Sequence, residues 1–285
     1  MNTKILVCCH KNDISASQEP YFPIQVGKAI ADVDLGVTGD DTGDNISCKN
    51  PFYCELTGIY WAWKNLKNVD VIGLCHYRRY FDFHGQCKYG FRHTSFGEKD
   101  FNNLDLSIPE EVLNKIYQGQ IVVAEKDHNK NSIGIDYCIY HYSEDLKKIT
   151  NTIQSLHDEV LAKEYYNFMF ANNKFSPYNM FIMRWKDFND YCTWLFDILA
   201  ILEKSINVKS YNTYQARVFG FISERLLNVW LLYKKKTIIT KPVIWINDGD
   251  DILKKYNLLS LKMRDAYFDI QMKLANMENI RYRII

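Results

Sequence analysis

Three polar segments carry side chains that could bind or transform a phosphorylated substrate. The first follows an apolar run and reads His76-Tyr77-Arg78-Arg79. If the chain stays extended, alternation places His76 and Arg78 on the same side. Arginine presents a rigid fork of donors that fits phosphate oxygens, and a neighbouring histidine adds a donor or a proton. The segment therefore predicts a diphosphate clamp, although Arg79 could equally well pair with a structural carboxylate.

The second segment is an acidic loop over residues 39–47. Its polar side chains are Asp40, Asp41, Asp44 and Asn45. Their oxygens could accept hydrogen bonds from the hydroxyls of a ribose or another sugar, whereas an ordinary solvated turn explains the same composition equally well. The glycine and the terminal glutamate that a calcium loop requires are not in the right places.

The third segment spans residues 211–228. If it forms one helix, a polar stripe lies along one face, made of Tyr214, Arg217, Glu224 and Asn228. Arg217 and Glu224 stand seven residues apart, about 10 Å along the helix axis, which is long for a direct ion pair. Each could therefore contact a ligand, and a solvated helix face explains the stripe about as well.

The elements that would position these segments alternate between β-rich runs and helical periodicity, which predicts an α/β fold. Residues 4–9 form a first strand that leads into His10 and Lys11, and residues 69–75 form a second that leads into His76. Ligands of open α/β sheets gather at such strand ends. Further strands are expected over residues 120–124, 179–183 and 243–246, and helices from residue 50 and over residues 109–117, 186–204, 213–233 and 251–277.

We expect one unit over residues 1–246 and a C-terminal helical extension over residues 247–285.

Composition excludes several classes of protein. The 285 residues are 47% apolar and contain 13 Gly and 6 Pro, so the chain is neither disordered nor collagen-like. The net charge is +1 and the only basic run is Lys234-Lys235-Lys236, so we do not expect a nucleic-acid partner. Eight cysteines without a CxxC pair, and no secretory leader or membrane span, predict a cytoplasmic protein.

Common catalytic motifs are missing from the sequence. It contains neither GxxxxGK[ST] nor a GxGxxG after a strand, so P-loop and Rossmann nucleotide sites are not predicted. It also lacks the GxSxG elbow of serine hydrolases. Cys8, Cys9 and His10 are adjacent soft ligands without a second cluster, which is a poor basis for a zinc site.

Several longer motifs are specific enough to identify a family. They are Phe22-Pro23-Ile24-Gln25-Val26-Gly27, Asp40-Asp41-Thr42-Gly43-Asp44-Asn45, Asn50-Pro51-Phe52-Tyr53-Cys54-Glu55, Tyr60-Trp61-Ala62-Trp63, His76-Tyr77-Arg78-Arg79-Tyr80-Phe81, Tyr178-Asn179-Met180-Phe181 and Ser223-Glu224-Arg225-Leu226. Together they resemble a bacterial family long described as a domain of unknown function, whose members are encoded among capsular and exopolysaccharide synthesis proteins. The resemblance covers roughly residues 4–246.

This resemblance implies a glycosyltransferase of GT-A type, with a nucleotide-binding sheet flanked by helices. Some members are associated with galactofuranosyl transfer, so the leading donor is a UDP-sugar carrying galactofuranose or galactose. The expected acceptor is a saccharide or a polyprenyl-linked saccharide. The expected setting is the cytoplasm, with peripheral association at the inner face of the membrane and a homodimer as further expectations.

In many GT-A enzymes an Asp-x-Asp motif holds a divalent metal against the donor diphosphate. The comparable strand here ends in His76-Tyr77-Arg78, so we predict that fixed positive side chains replace the metal. The competing prediction is a Mn²⁺ or Mg²⁺ site at Asp248 and Asp250, which have the Asp-x-Asp spelling.

Roles can be assigned to the remaining candidates on this fold. Glu224 is the expected general base for the acceptor hydroxyl, unless Arg217 or Arg225 holds it in a structural pair. The expected acceptor contacts are His141, Tyr178 and Trp185. The expected donor contacts are His10, Lys11, Asp40, Asp41, Asp44, Asn45, His76, Arg78, Arg79, Asn179 and Arg217. A nucleotidyl or phosphosugar transferase, or a glycan-binding assembly protein, is the alternative.

Overall fold

The computed structural model describes residues 2–87, 93–247 and 258–282, with side chains in the last segment described for residues 260–275. The strands are β1 (Thr3–Cys9), β2 (Tyr21–Gln25), β3 (Thr38–Gly39), β4 (Val71–His76), β5 (Arg79–Phe81), β6 (His93–Gly97), β7 (Ile121–Ala124), β8 (Asp127–His128), β9 (Lys174–Phe175), β10 (Phe181–Arg184), β11 (Ile238–Lys241) and β12 (Val243–Asn247). The helices are α1 (Asn50–Tyr53), α2 (Leu56–Asn65), α3 (Glu110–Tyr117), α4 (Ile133–Tyr140), α5 (Ser143–Ser155), α6 (Glu159–Phe170), α7 (Trp185–Ser205), α8 (Val218–Tyr233) and α9 (Leu258–Tyr282).

The central sheet is mostly parallel. Its main path runs β11-β7-β10-β4-β1-β2-β3, and β5, β6 and β12 extend it from β4. On this path only β10 runs against its neighbours β4 and β7. The carboxyl ends of β1, β2 and β4 therefore meet at one edge, and the antiparallel β10 brings its amino end to that same edge. The predicted α/β class, a sheet flanked by helices, is confirmed.

Apolar layers cover both faces of the sheet, so its inner strands are buried on both sides. Along β1, Leu6 and Cys8 pack into the layer that contains α2, α7 and α8. Ile5 and Val7 point the other way, into a layer with α3 and β12. The alternation of β1 thus divides its side chains between two cores, as the period of an extended strand requires.

Two of the predicted helices begin or continue differently from the expectation. The helix that starts at Asn50 is interrupted by Cys54, whose φ of 52° is left-handed, and α2 starts only at Leu56. The helix expected from residue 213 begins at Val218, after a short 3-10 turn. The second change places Tyr214 and Arg217, which periodicity assigned to a helix face, in the segment that precedes α8.

Helix α9 packs on the body through one face. Leu261 and Phe268 are buried, and the Asp265 carboxylate lies 3.0 Å from His128 Nδ1 and 2.7 Å from Lys174 Nζ. Helix α9 lies within the range predicted as a C-terminal extension, residues 248–257 of that range lie outside the described residues, and the division at residue 246 stays a prediction. Across the described ranges, no helix combines the length and apolarity needed to cross a membrane.

Asp40 anchors the loop between β3 and α1 from the inside. Its side chain is fully buried and accepts hydrogen bonds from the backbone N–H groups of Gly27 (2.9 Å) and Lys28 (3.1 Å) and from the hydroxyl of Ser47. A carboxylate with three donors and no exposed surface cannot also bind a sugar hydroxyl. The predicted donor-binding role of Asp40 is wrong, because folding uses its oxygens internally.

We expect Asp40→Ala to lower the free energy of unfolding by about 3 kcal/mol, because the buried Gly27 N–H, the half-buried Lys28 N–H and the Ser47 hydroxyl lose their acceptor. Urea unfolding followed by circular dichroism measures the change. The matched control is Asp41→Ala, since Asp41 is its exposed neighbour and should leave the midpoint unchanged. Equal midpoints for the two variants would contradict the anchoring role.

Candidate active site

A cleft of about 1020 Å³ opens at the edge of the sheet where β1 and β4 end. His10 and His76 line it from these two strands, and Tyr178 and Asn179 line it from the segment before β10. The break before α2 contributes Glu55 to the lining. Ligand sites are typically 300–1,000 Å³, so this cleft is large enough for a nucleotide sugar.

The cleft is more positive than the chain as a whole. Its described lining contains five Lys and Arg side chains, which are Arg78, Arg79, Lys209, Arg217 and Arg225. Against these it has only two carboxylates, those of Glu55 and Glu224. Since the whole chain carries a net charge of only +1, the excess is local and favours an anionic ligand.

The segment predicted as an extended clamp is a hairpin. The chain turns at Tyr77 and Arg78, and His76 at the end of β4 pairs with Arg79 at the start of β5. The prediction that alternation places His76 beside Arg78 is therefore wrong, because the strand ends at His76.

Arg78 has carboxylate partners within the fold. Its Nε lies 2.9 Å from Asp13 Oδ2, and its Nη2 lies 3.1 Å from both Asp13 Oδ1 and Glu98 Oε1. This bidentate pair compensates the guanidinium charge at the rim of the cleft. We therefore correct the predicted role of Arg78 from a phosphate contact to a structural ion pair.

His76 acts as a neutral donor. Its Nε2 lies 2.8 Å from the Tyr178 carbonyl oxygen, to which it donates. Burial, together with the nearby Arg79 charge, lowers the His76 pKa to about 4. The imidazole is thus uncharged near neutral pH, so the prediction that it supplies fixed positive charge is corrected.

Two other cations have the properties expected of phosphate ligands. The Arg79 guanidinium lies over the rings of Tyr178 (4.8 Å) and Trp245 (5.0 Å), and Arg217 Nε lies 3.3 Å from the Cys54 sulfur. Within the described residues, neither arginine has a carboxylate at ion-pair distance. Their guanidinium groups are therefore held in place without a direct ion pair to a described carboxylate.

Glu55 is the residue that sequence reasoning missed. It follows the left-handed Cys54, and its Oε1 accepts a hydrogen bond from Asn179 Nδ2 at 2.6 Å. Burial raises the pKa of this carboxyl, although Asn179, Arg217 and Arg79 oppose the rise. The adjoining stripe of α2 indicated only core, and the carboxylate just before that stripe was the available signal.

Glu224 has partners on both oxygens. Its Oε1 accepts the Tyr178 backbone N–H at 2.5 Å, and its Oε2 lies 2.6 Å from Arg225 Nη1. It lines the cleft as predicted, but its lone pairs hold the Tyr178 peptide and the neighbouring arginine. This arrangement favours the structural alternative to the predicted base.

The segment before β10 is conformationally strained and firmly held. Tyr178 and Asn179 have φ values of 75° and 55°, which residues other than glycine rarely adopt. Besides Glu55, Asn179 Nδ2 also contacts Ser223 Oγ at 2.9 Å, and the residue is only 2% exposed. The predicted donor contact at Asn179 is thus placed in the cleft, where it orients Glu55.

Several predicted contacts lie outside the cleft lining. Lys11 pairs with Asp13 at 3.3 Å. In the acidic loop, the Asp44 carboxylate accepts the Tyr60 hydroxyl and the Asn45 amide donates to the backbone carbonyl of Asp41. The acidic loop is therefore held by hydrogen bonds within the fold, as an ordinary turn is. The candidate site no longer includes Lys11, Asp41, Asp44 and Asn45.

Trp185 is at the wrong edge of the sheet for an acceptor contact. It follows β10, whose last residue Arg184 pairs with Val71 at the beginning of β4. Its ring packs on Phe188, with 5.3 Å between centroids. Because β10 is antiparallel, only its amino end reaches the cleft, and the predicted role of Trp185 is corrected to core packing.

The described residues do not form a metal site. None of their His, Cys, Asp and Glu side chains come together in a group of three that could hold an ion. The alternative ligands Asp248 and Asp250 lie outside the described residues, so that site stays a prediction.

The comparisons with known proteins agree with this architecture. A structure described as the apo form of WbbM, a bifunctional glycosyltransferase, matches with a TM-score of 0.76 and 28% identity, covering 89% of this chain and 48% of that one. The chain thus spans about half the length of that protein. No curated protein matches significantly. Residues 4–236 match the family described as a domain of unknown function, DUF4422, and the chain belongs to this family.

Proposed function

We propose that the chain is a glycosyltransferase that moves a hexosyl group from a UDP-sugar to a saccharide or polyprenyl-linked acceptor. Galactofuranose or galactose is the leading sugar, and synthesis of capsule, exopolysaccharide or lipopolysaccharide is the setting. The observation that carries the proposal is the local excess of positive charge where the parallel strands end. The likeness to a bifunctional glycosyltransferase supports it.

The donor diphosphate would be held by Arg79 and Arg217. Cleavage of the bond between the sugar and the phosphate leaves growing negative charge on the diphosphate, which fixed cations stabilise. Arg79 is fixed by the Tyr178 and Trp245 rings, and Arg217 by the Cys54 sulfur. This pair replaces the clamp of His76 and Arg78, since one of those side chains is neutral and the other is already paired.

Glu55 would act as the general base. Its ionised carboxylate takes the proton of the acceptor hydroxyl, whose oxygen attacks the anomeric carbon as the bond to the diphosphate breaks. The products are the glycosylated acceptor, UDP and protonated Glu55. The raised pKa of Glu55 makes it a stronger base, and Asn179 fixes its orientation.

His76 and Glu224 would act through Tyr178. The imidazole donates to the Tyr178 carbonyl and the carboxylate accepts its N–H, so both sides of this residue's backbone are held. The Tyr178 ring in turn supports Arg79. His76 and Glu224 would therefore be positioning residues.

We expect UDP to bind the purified protein and Arg79→Ala or Arg217→Ala to weaken binding tenfold to a hundredfold. Loss of one charged hydrogen bond to phosphate costs about 1.5–3 kcal/mol, which gives that range. Titration calorimetry with UDP measures the dissociation constants. Lys67→Ala, an exposed cation near the opposite edge, is the control and should bind as the wild type does. Absence of UDP binding at millimolar concentration would defeat the donor assignment.

Removal of divalent metal tests the arginine clamp separately. Because Arg79 and Arg217 would supply the charge, we expect the same UDP affinity and turnover in EDTA as with added manganese. Calorimetry and product analysis by mass spectrometry give the two readouts. Strict manganese dependence would overturn the clamp and favour the site at Asp248 and Asp250.

Substitution of Glu55 tests the base. Glu55→Gln keeps the oxygen that accepts from Asn179, so UDP binding should persist while kcat falls by about 10²–10⁴-fold. In the wild type, protonation of Glu55 should reduce kcat as pH falls through its raised pKa, at a higher pH than an ordinary glutamate near 4.3 would allow. The variant should lack this acid limb.

Glu224→Gln is the matched comparison, since it removes the other carboxylate charge of the cleft. We expect that variant to retain the acid limb. If Glu224→Gln loses the limb and Glu55→Gln keeps it, the two assignments are reversed. Mass spectrometry of the products also separates sugar transfer from nucleotidyl or phosphosugar transfer.

A further inference from the structure

One side of the cleft is built from aromatic rings. We call the set Tyr140, His141, Tyr211, Tyr214 and Phe221 the aromatic wall; all five residues line the cleft. His141 stacks on Phe221 with 4.1 Å between ring centroids and on Tyr214 with 5.9 Å. Tyr214 and Phe221 are 5.2 Å apart, so three rings form one continuous surface.

Two residues of the aromatic wall are exposed. Tyr140 is 61% exposed and Tyr214 is 53% exposed, although both border a cleft. Burial and the charge of Arg225 lower the His141 pKa to about 4, so the ring is neutral near physiological pH. The Tyr140 and Tyr214 rings therefore present an uncharged surface that can contact a ligand, and the buried His141 ring stacks on Tyr214.

The wall adjoins the positive end of the cleft. The Arg217 guanidinium lies 5.6 Å from the centre of the Phe221 ring. A ligand with its diphosphate on Arg217 would therefore bring its transferred group toward the rings. The cleft volume, about 1020 Å³, is at the upper end of the range for single-ligand sites, which leaves room for a second ligand beside the donor.

Polar groups surround the rings. The Gln215 amide donates to the Tyr140 carbonyl at 2.8 Å and its oxygen lies 3.3 Å from His141 Nδ1. The Tyr211 hydroxyl donates to Asp145, and Lys209 and Thr213 also line the cleft. A pyranose or furanose ring has the matching character, with an apolar C–H face for the rings and hydroxyls for the polar groups. An acyl chain would offer no hydrogen-bonding groups to the polar side chains that line this part of the cleft.

We propose that the aromatic wall is an acceptor subsite in which a saccharide ring stacks on Tyr214, with Tyr140 extending the platform toward solvent. The inference rests on the proposed glycosyltransferase function, to which it adds the residues that bind a saccharide ring of the acceptor. His141 and Phe221 support the Tyr214 ring from behind, and the edges of the platform contact the sugar hydroxyls.

The test compares Tyr214→Ala with Tyr214→Phe in the full chain. The probe is a set of immobilised oligosaccharides ending in galactose, glucose, mannose or N-acetylglucosamine. The wild type should bind at least one of them, Tyr214→Ala should bind it at least tenfold more weakly, and Tyr214→Phe should recover most of the affinity because the ring remains. Tyr267→Ala, which removes a tyrosine of similar exposure from α9, should bind as the wild type does.

UDP calorimetry on the same samples separates this inference from the proposed function. Unchanged UDP affinity in Tyr214→Ala, with loss of saccharide binding, supports the subsite and shows that the variant folds. UDP binding by the wild type without saccharide binding would overturn the subsite and leave the donor assignment standing. Saccharide binding that survives Tyr214→Ala, or binding of decyl phosphate vesicles in place of saccharide, would also overturn it. Saccharide binding without UDP binding would overturn the proposed function alone.

Discussion

The backbone of Tyr178 is the constraint on which the candidate site depends. Its carbonyl accepts from His76 and its N–H donates to Glu224, which ties β4, the segment before β10 and α8 together. Tyr178 and the following Asn179 both have left-handed φ values, a conformation that these hydrogen bonds stabilise. The Tyr178 ring then supports Arg79, while Asn179 orients Glu55. One strained segment thus positions both the cation and the carboxylate proposed for catalysis.

Ion pairing divides the arginines of the cleft into two groups. Arg78 and Arg225 lie beside carboxylates, so their charges contribute to the fold more than to the binding of an anion. Arg79 and Arg217 contact aromatic rings or sulfur, which fix the guanidinium without a direct ion pair to a described carboxylate. A site that stabilises a diphosphate needs cations of the second kind, because they do not have to leave a partner when the ligand arrives.

The same low-dielectric surroundings have opposite effects on the acids and bases of the cleft. Burial raises the pKa of Glu55 and lowers the pKa of His76 and His141. Each group is shifted toward its neutral form, since the charged form loses hydration. For the histidines the result is a neutral donor and a neutral ring, and for Glu55 it is a carboxylate of increased basicity. The chemistry proposed here therefore follows from how deeply each group lies beside the sheet.

Local sequence determined the elements, and tertiary structure decided the site. The apolar runs at β1, β4 and β10 predicted an α/β sheet, because hydrophobic periodicity is read within a few residues. The local sequence also indicated His76 and Arg79 as cleft residues because they follow a strand, and Arg217 because it lies on the polar face of a predicted helix. Which arginine lacks an ion-pair partner depended on Asp13 and Glu98, which pair with Arg78 from 65 and 20 residues away in sequence. The role of Glu55 depended on a left-handed Cys54 and on an antiparallel β10, and neither has a local sequence pattern because both result from how separate segments pack together.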